Sequence, residues 1–279
     1  MKILLAGTPN FSVSTFTKII ENFEVVGLIA QPNKPVGRKQ ILTEPPTVIL
    51  GKYHKLKIFQ PERINDIFEE LKMLDFDVLI TMAYGQIIPE NILKLAKKGS
   101  YNIHGSLLPK YRGAAPIQYA LNNGDTETGI TFIEMVTKMD AGDILFQEKI
   151  KIEPDDNLDS MLEKLSILSS KYIVDWLDKI ANNDFQKKPQ EESLVTFAPK
   201  ITKDDEQIIF DTMDRTINKI RSLSSVPGAY IILNSNNQRM KVFKATKQVV
   251  KNAPEIKCSD GFVYAIEFQL AGKRKVFLK

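Results

Sequence analysis

Cysteine and histidine are nearly absent from this 279-residue chain. The single cysteine, Cys258, excludes an internal disulfide and offers no thiolate framework for a metal. Two histidines, His54 and His104, fall short of a zinc site, so no metal is expected. No apolar run approaches the ~20 residues that cross a bilayer. The opening "MKILLAGTPN" turns too soon for a signal peptide, which makes the cytoplasm the expected location. Also missing are a Gly-x-Gly-x-x-Gly after the first apolar run, a Walker loop, a Gly-x-Ser-x-Gly elbow and a Cys-His pair. Their absence disfavours a nicotinamide cofactor and a covalent route through serine or cysteine. Cys258 reads as a small packed side chain and His54, in "KYHKLK", as a surface residue.

What the chain does contain is the composition of a globular protein, 43% hydrophobic and 26% charged, with enough length for two domains. Its first ~180 residues alternate between two periodicities. "KILLAG", "EVVGLIA", "KIFQ", "DFDVLITMAY", "SYNIHGS" and "GITFIEMV" read as strands. Helical stripes lie between them: Phe16, Ile19 and Ile20 (capped by Asn10 or Ser12), then Ile64, Ile67, Phe68 and Leu71, then "APIQYALNN". A long helix follows Asp155 and Asp156, with Leu158, Met161, Leu162, Leu165, Leu168, Tyr172, Trp176 and Ile180 on one stripe. Continuous apolar strands alternating with helices predict an α/β domain, a mostly parallel sheet covered on both faces.

The character then changes. Residues 184–203 are polar, hold Pro189 and Pro199, and read as a linker between a domain at 1–183 and another at 204–279. Beyond it, a short helical pattern leads into "YIILN", "MKVFKATKQVV" and "GFVYAIEFQL", which predicts a small β-rich domain of barrel type. From Thr212 to Lys279 there are 13 Lys/Arg against 4 Asp/Glu, a net +9, which leaves −5 for the rest. A basic tail on an acidic body fits a polyanionic partner, and equally fits a solvated basic surface.

The stretch that neither reading absorbs is "YNIHGSLLPKYRGAAPIQYAL", residues 101–121. Asn102 and His104 stand two apart at the end of the fifth strand, so both side chains leave one face. In an open parallel sheet, ligands bind outside the carboxyl ends of the strands. An amide and an imidazole converging there can both donate to an oxygen gaining negative charge. The "SLLP" loop, with free backbone groups, is expected to border the same cleft. Asp140, in "KMDAGDILFQ" after the sixth strand, adds a carboxylate that would orient the imidazole and hold a water for proton transfer. Alone, the histidine is better explained by local backbone contacts, and Asp140 with Asp143 by a tight Asp-Ala-Gly turn. Together the Asn, His and Asp make an acyl-transfer site.

These residues resemble the folate-dependent formyltransferases, specifically the branch that acts on initiator tRNA. "NIHGSLLPKYRGAAPIQYAL" and "GDTETGITFIEMVTKMDAGDIL" carry the resemblance most specifically, joined by "AGTPNF", "QPNKPVGR", "AYGQIIP", "LVTFAPKITKDD", "MKVFKAT" and "QLAGKRK". The resemblance implies a Rossmann-like domain followed by an OB-type β-barrel that binds tRNA. It implies 10-formyltetrahydrofolate as donor and the α-amino group of methionyl-initiator tRNA as acceptor. The family's catalytic asparagine, histidine and aspartate fall on Asn102, His104 and Asp140, and its folate-contacting loop on Ser106, Leu107, Leu108 and Pro109. Its functional arginine in the loop after the second strand falls on Arg38, which makes Lys34 and Lys39 phosphate-contact candidates. In the tail, Arg239, Lys241, Lys244, Lys247 and Lys251 follow one another with no acid between them.

The chain departs from the family in two places. Near "SLSSVPGAY" the family usually has an aromatic, proline-rich stretch, often with a Trp, of which only Pro227, Gly228 and Ala229 remain, and "TEPPTVI" replaces a Ser-Pro-Val-Lys type of ending. A formyltransferase acting on an amino-sugar nucleotide shares the same core. Such relatives often carry a His where this chain has Ile133, while the "RGAAPI" and "FAPKI" spellings and the basic tail favour tRNA. A formyl-folate hydrolase and a non-catalytic RNA-binding protein are the remaining readings.

Overall fold

A computed structural model describes residues 1–37, 39–233 and 238–278. Ile3, Leu4, Leu5 and Ala6 have no exposed surface, which a strand achieves only when both faces of its sheet are covered. This run is β1 (Lys2–Gly7), flanked in parallel by β2 (Glu24–Ile29) and by β6 (Val78–Met82), itself buried throughout. β5 (Ile58–Phe59) extends the sheet beyond β2, and β7 (Gly99–His104) pairs in parallel with β6. β8 (Glu127–Glu134) runs antiparallel to β7 and β9 (Ile144–Lys151) closes the edge, giving the order β5-β2-β1-β6-β7-β8-β9. The predicted mostly parallel, Rossmann-like sheet is present. β9 was not foreseen, because "ILFQEKIK" runs three apolar residues into three polar ones and so shows neither a continuous apolar run nor a strict alternation.

The chain leaves β1 for β2 on one side and later returns to β6 on the other, so the order reverses between β1 and β6. Gly7 ends β1 at this point. A Cβ there would meet the Phe16 ring at 2.7 Å and the Met82 carbonyl at 2.8 Å, so no larger residue fits. Phe16 belongs to α1 (Val13–Asn22), but neither predicted cap holds that helix: the Ser12 hydroxyl instead donates to Met82 O (2.6 Å). Thr8 works alongside it, donating to Tyr84 O (2.9 Å). Within the loop expected after the second strand, β3 (Lys34–Val36) and β4 (Ile41–Thr43) pair antiparallel. α2 (Pro46–Tyr53), α3 (Phe68–Lys72), α4 (Glu90–Leu93) and α5 (Pro116–Asn123) follow in the connections.

The long helix α6 spans Leu158–Ala181. Its start is fixed by reciprocal bonds, Ser160 N to Asn157 Oδ1 and Asn157 N to Ser160 Oγ (3.0 Å each). Asp156, expected to act through the helix dipole, instead accepts from Glu153 N (2.7 Å) and from the Ser160 hydroxyl (2.8 Å). Lower on the helix, the chain's one tryptophan, Trp176, stacks on Phe146 and Tyr172 and tilts against Phe132.

Chain contacts divide the protein into two compact units. One comprises Met1–Arg112, Gly129–Lys149 and Glu163–Thr196; the other comprises Gly113–Thr128, Ile150–Leu162 and Phe197–Lys279. The second unit holds α7 (Met213–Leu223) and the strands β10 (Ala229–Leu233), β11 (Gln238–Thr246), β12 (Glu255–Cys258), β13 (Gly261–Leu270) and β14 (Val276–Phe277). An OB-type barrel was expected; the described pairings give an antiparallel sheet in the order β10-β11-β13-β12, with β14 on β13. Ile220 and Leu223 of α7 close its core over Met240, Val242, Val263 and Ala265. Cys258 is buried there, its thiol 3.4 Å from the Thr216 hydroxyl.

The aromatic cluster around Trp176 packs Phe132 with no exposed surface. Phe132→Ala should therefore lower the unfolding free energy by about 3–5 kcal/mol. Urea denaturation followed by Trp176 fluorescence measures it.

Candidate active site

Asn102 and His104 leave the same side of β7, while Tyr101 turns the other way to stack on Phe132 at 5.2 Å. Both point to one carboxylate. Asn102 Nδ2 lies 3.5 Å from Asp140 Oδ1, and His104 Nδ1 lies 3.5 Å from Asp140 Oδ2. The three groups predicted from the sequence thus share one corner of the first unit. His104 is 5% exposed and the Asp140 side chain 13%, so the corner is largely screened from water yet open on the aspartate side.

Neighbours unseen in the sequence orient each of the three. Thr81, paired with Asn102 across β6 and β7, donates its hydroxyl to Asn102 Oδ1 (2.7 Å). That bond settles the amide: oxygen toward Thr81, nitrogen toward Asp140. The ring of His104 is held by the main-chain carbonyl of Tyr111, 2.8 Å from Nε2. A carbonyl only accepts, so Nε2 carries a hydrogen and Nδ1 is the nitrogen turned to Asp140. With Nε2 engaged by a carbonyl, Nδ1 is the nitrogen of His104 left to face Asp140.

Asp140 has φ +49, a left-handed backbone that costs a non-glycine residue on the order of 1–2 kcal/mol. Its turn is held from outside. Gln190 Nε2 donates to Asp140 O (2.8 Å) and to Gly142 O (2.7 Å). Gly142 admits no side chain, since a Cβ there would lie 1.8 Å from Glu134 O.

The "SLLP" loop differs from its expectation. Its backbone is largely spent inside the protein. Thr131 Oγ1 accepts from Leu108 N (3.1 Å) and donates to Ser106 O (2.6 Å), while Gln147 Nε2 donates to Leu108 O (3.0 Å). Leu107 O accepts from Lys110 N and Pro109 O from Thr196 N. The Ser106 hydroxyl donates to Lys110 O (2.6 Å). Ser106 and Leu108 are buried, which leaves Leu107 and Pro109 as the partly exposed members. Buried backbone groups must find partners, and strand β8 supplied Thr131 where the sequence showed none.

Arg112 follows directly and is 2% exposed. Its Nε donates to Gln190 Oε1 (3.0 Å), and both terminal nitrogens reach Glu192 Oε1 (3.0 Å). The guanidinium holds the Glu192 carboxylate below its usual range. Among the described residues, no group of three or more His, Cys, Asp and Glu could hold a metal, and no helix is long and apolar enough to cross a membrane.

The cations proposed for RNA contact fall into two kinds. Lys34 and Lys39 are exposed on the β3–β4 hairpin beside the exposed apolar Val36, Ile41 and Leu42; Arg38 lies outside the described residues. In the second unit, Arg239 is engaged by Glu206 (3.0 Å) and by the Tyr230 ring (3.7 Å to its centre). Lys241 donates to Pro227 O, and Lys247 pairs with Asp214 (2.7 Å). Lys244 and Lys251 are exposed.

Residues 1–177 match the formyl transferase family model and residues 200–279 the formyl transferase C-terminal domain. A methionyl-tRNA formyltransferase of Mycoplasmopsis pulmonis is 46% identical over all of this chain and 96% of its own length. One from Lactobacillus acidophilus is 45% identical over 87% of this chain and 78% of its own, and one from Staphylococcus aureus 38% identical over 99% and 93%. Among solved structures, an N-formyltransferase from Helicobacter canadensis, in complex with folinic acid and dTDP-3-aminofucose, superposes with a TM-score of 0.70 at 19% identity, covering 95% of this chain and 98% of that one. HypX from Aquifex aeolicus in complex with tetrahydrofolic acid has a TM-score of 0.64 at 18% identity, over 98% of this chain and 45% of that one. At such identities these two speak for the fold alone. Full-length similarity to the curated relatives and two family models covering most of the chain place it in the methionyl-tRNA formyltransferase family.

Proposed function

We propose that this protein moves the formyl group of 10-formyltetrahydrofolate to the α-amino group of methionyl-initiator tRNA. The observation that carries the reading is the meeting of Asn102, His104 and Asp140 at one carboxylate, in a chain whose full-length relatives are named for that reaction. The donor set fits a formyl carbonyl and an amine. Asn102 Nδ2 is a neutral N–H donor with a fixed direction, and His104 Nδ1 beside Asp140 can give or take a proton.

In this reading the amine attacks the formyl carbon directly. Asn102 and His104 hold the oxygen as it gains charge, a role that a screened corner strengthens. Asp140 assists the proton from the attacking nitrogen to the departing one. One C–N bond forms, one breaks, and the proton lost by the amine is the proton gained by the leaving group. Leu107 and Pro109, the accessible part of their loop, are the members placed to touch the folate. Ser106 and Leu108 support them from beneath. Lys34, Lys39, Lys244 and Lys251 have exposed ammonium groups for tRNA phosphates. Arg239 and Lys241 would first have to release their internal partners.

The acceptor is tested by supplying formyl-folate with charged initiator tRNA, charged elongator tRNA or an amino-sugar nucleotide. Formyl gain by initiator tRNA is expected; gain by the sugar alone, or folate release without any acceptor, overturns the reading. Asn102→Ala should lower kcat about 100- to 1000-fold with the fold intact, measured as single-turnover formylation alongside circular dichroism. Thr81→Val frees the Asn102 amide to rotate and leaves its oxygen unpaired, worth about 1–3 kcal/mol, or roughly 5- to 150-fold in kcat. Lys34→Ala and Lys244→Ala should each weaken tRNA binding and reduce the slope of log affinity against log salt by about 1. A salt titration of tRNA binding reads this directly.

A further inference from the structure

The segment that the sequence presents as a polar linker holds both loops of the site. Lys188 exchanges two main-chain hydrogen bonds with Ile144 (2.9 Å each), so residues 188 onward are pinned beside β9. Two residues further, Gln190 spends both amide hydrogens on the turn that carries Asp140, through Asp140 O and Gly142 O. Its oxygen accepts from Arg112 Nε. At the far end of the same segment, Thr196 accepts from Arg112 N through its carbonyl and from Tyr111 N through its hydroxyl (2.9 Å each). Tyr111 is the residue whose carbonyl holds His104 Nε2. The turn that aims Asp140 and the loop that aims His104 are thus fastened to one short stretch, residues 188–196.

We propose that Gln190 is a positioning residue for proton transfer, setting the approach of Asp140 to His104. The inference rests on the formyl-transfer reading of that pair. Three features support the assignment. Asp140 sits in the left-handed backbone region, where residues other than glycine are uncommon, and Gln190 is the side chain that ties this turn to residues 188–196. The separation of Asp140 from His104 is 3.5 Å, just beyond a direct hydrogen bond, where a displacement of a few tenths of an ångström makes or breaks the contact. Gln190 is also the side chain through which the Asp140 turn meets Arg112, a buried cation one residue from the His104 support. No substrate atom needs to touch it. Gln190 acts through Asp140.

Two variants separate the halves of this link. Gln190→Glu keeps an acceptor for Arg112 but faces the two carbonyls with oxygen instead of N–H; Gln190→Met keeps the length and removes both functions. Each is expected to lower kcat about 10- to 100-fold, with KM for the folate donor and for tRNA changed less than twofold and the chain still folded by circular dichroism. Combined with Asp140→Asn, either should add less than a twofold loss, because its effect runs through that carboxylate. With only two histidines, 15N imidazole spectra report on the site without any assay. The His104 ring signals should move in both variants while those of His54 stay. Failure of the parent chain to formylate any acceptor would count against the function and leave the spectral test standing. Unmoved His104 signals, or losses that multiply with Asp140→Asn, would overturn the positioning role. If Gln190→Met does not fold, Gln190→Glu, with Arg112 still paired, decides the matter alone.

Discussion

Everything at this site depends on the Asp140 carboxylate presenting one oxygen to an amide and the other to an imidazole. A carboxylate has acceptor capacity only, so it draws the Asn102 amide hydrogen to one oxygen while the other faces His104 Nδ1, and two groups from one strand are brought beside each other. Such a group is expensive to bury without partners, which is why the corner is screened and not sealed. The cost of keeping Asp140 there is visible in its left-handed backbone and in the crowding around Gly142. The remaining architecture can be understood as the means of holding that one residue still.

The means are main-chain hydrogen bonds accepted or donated by side chains from distant segments. Thr131 and Gln147 from the antiparallel edge of the sheet satisfy the loop after β7, and Gln190 satisfies the turn before β9. Thr8 and Ser12 do the same at the reversal between β1 and β6. Loops with their polar groups already paired lose little freedom when a substrate arrives, so the site is preorganised. Exposure is reserved for a few side chains, Leu107 and Pro109 among them.

Charge in the second unit needs the same reading by partner. A net +9 over its C-terminal stretch looks like an RNA footprint in one dimension. In three dimensions Arg239 lies between Glu206 and the Tyr230 ring, and Lys247 beside Asp214. The ion pairs run from β11 to the segment preceding α7 and from the residue after β11 to α7, joining residues 33 positions apart in the chain. The positive charge available to a phosphate backbone is therefore smaller than the count, with Lys244, Lys251, Lys257, Lys273 and Arg274 among its exposed members.

By itself the sequence determined the sheet, its burial and the identity of Asn102, His104 and Asp140, because period and strand-end position are local properties of the chain. The short apolar runs of β1 and β6, bounded by turn residues and alternating with helical stripes, read as strands covered on both faces, and the i, i+2 spacing of Asn102 and His104 holds in any extended strand. Only tertiary structure decided that Thr81 orients the Asn102 amide, that a carbonyl occupies His104 Nε2, and that Gln190 and Thr196 clasp the two loops. The edge strand β9 and the hairpin of β3 and β4 belong with these, since mixed polar patterns become strands only when a neighbour completes their hydrogen bonds. The physical reason is the same throughout: a hydrogen bond to another segment, whether 7 positions away as from His104 to Tyr111 or 85 as from Tyr111 to Thr196, depends on register and loop path, and no pattern along the chain encodes either one.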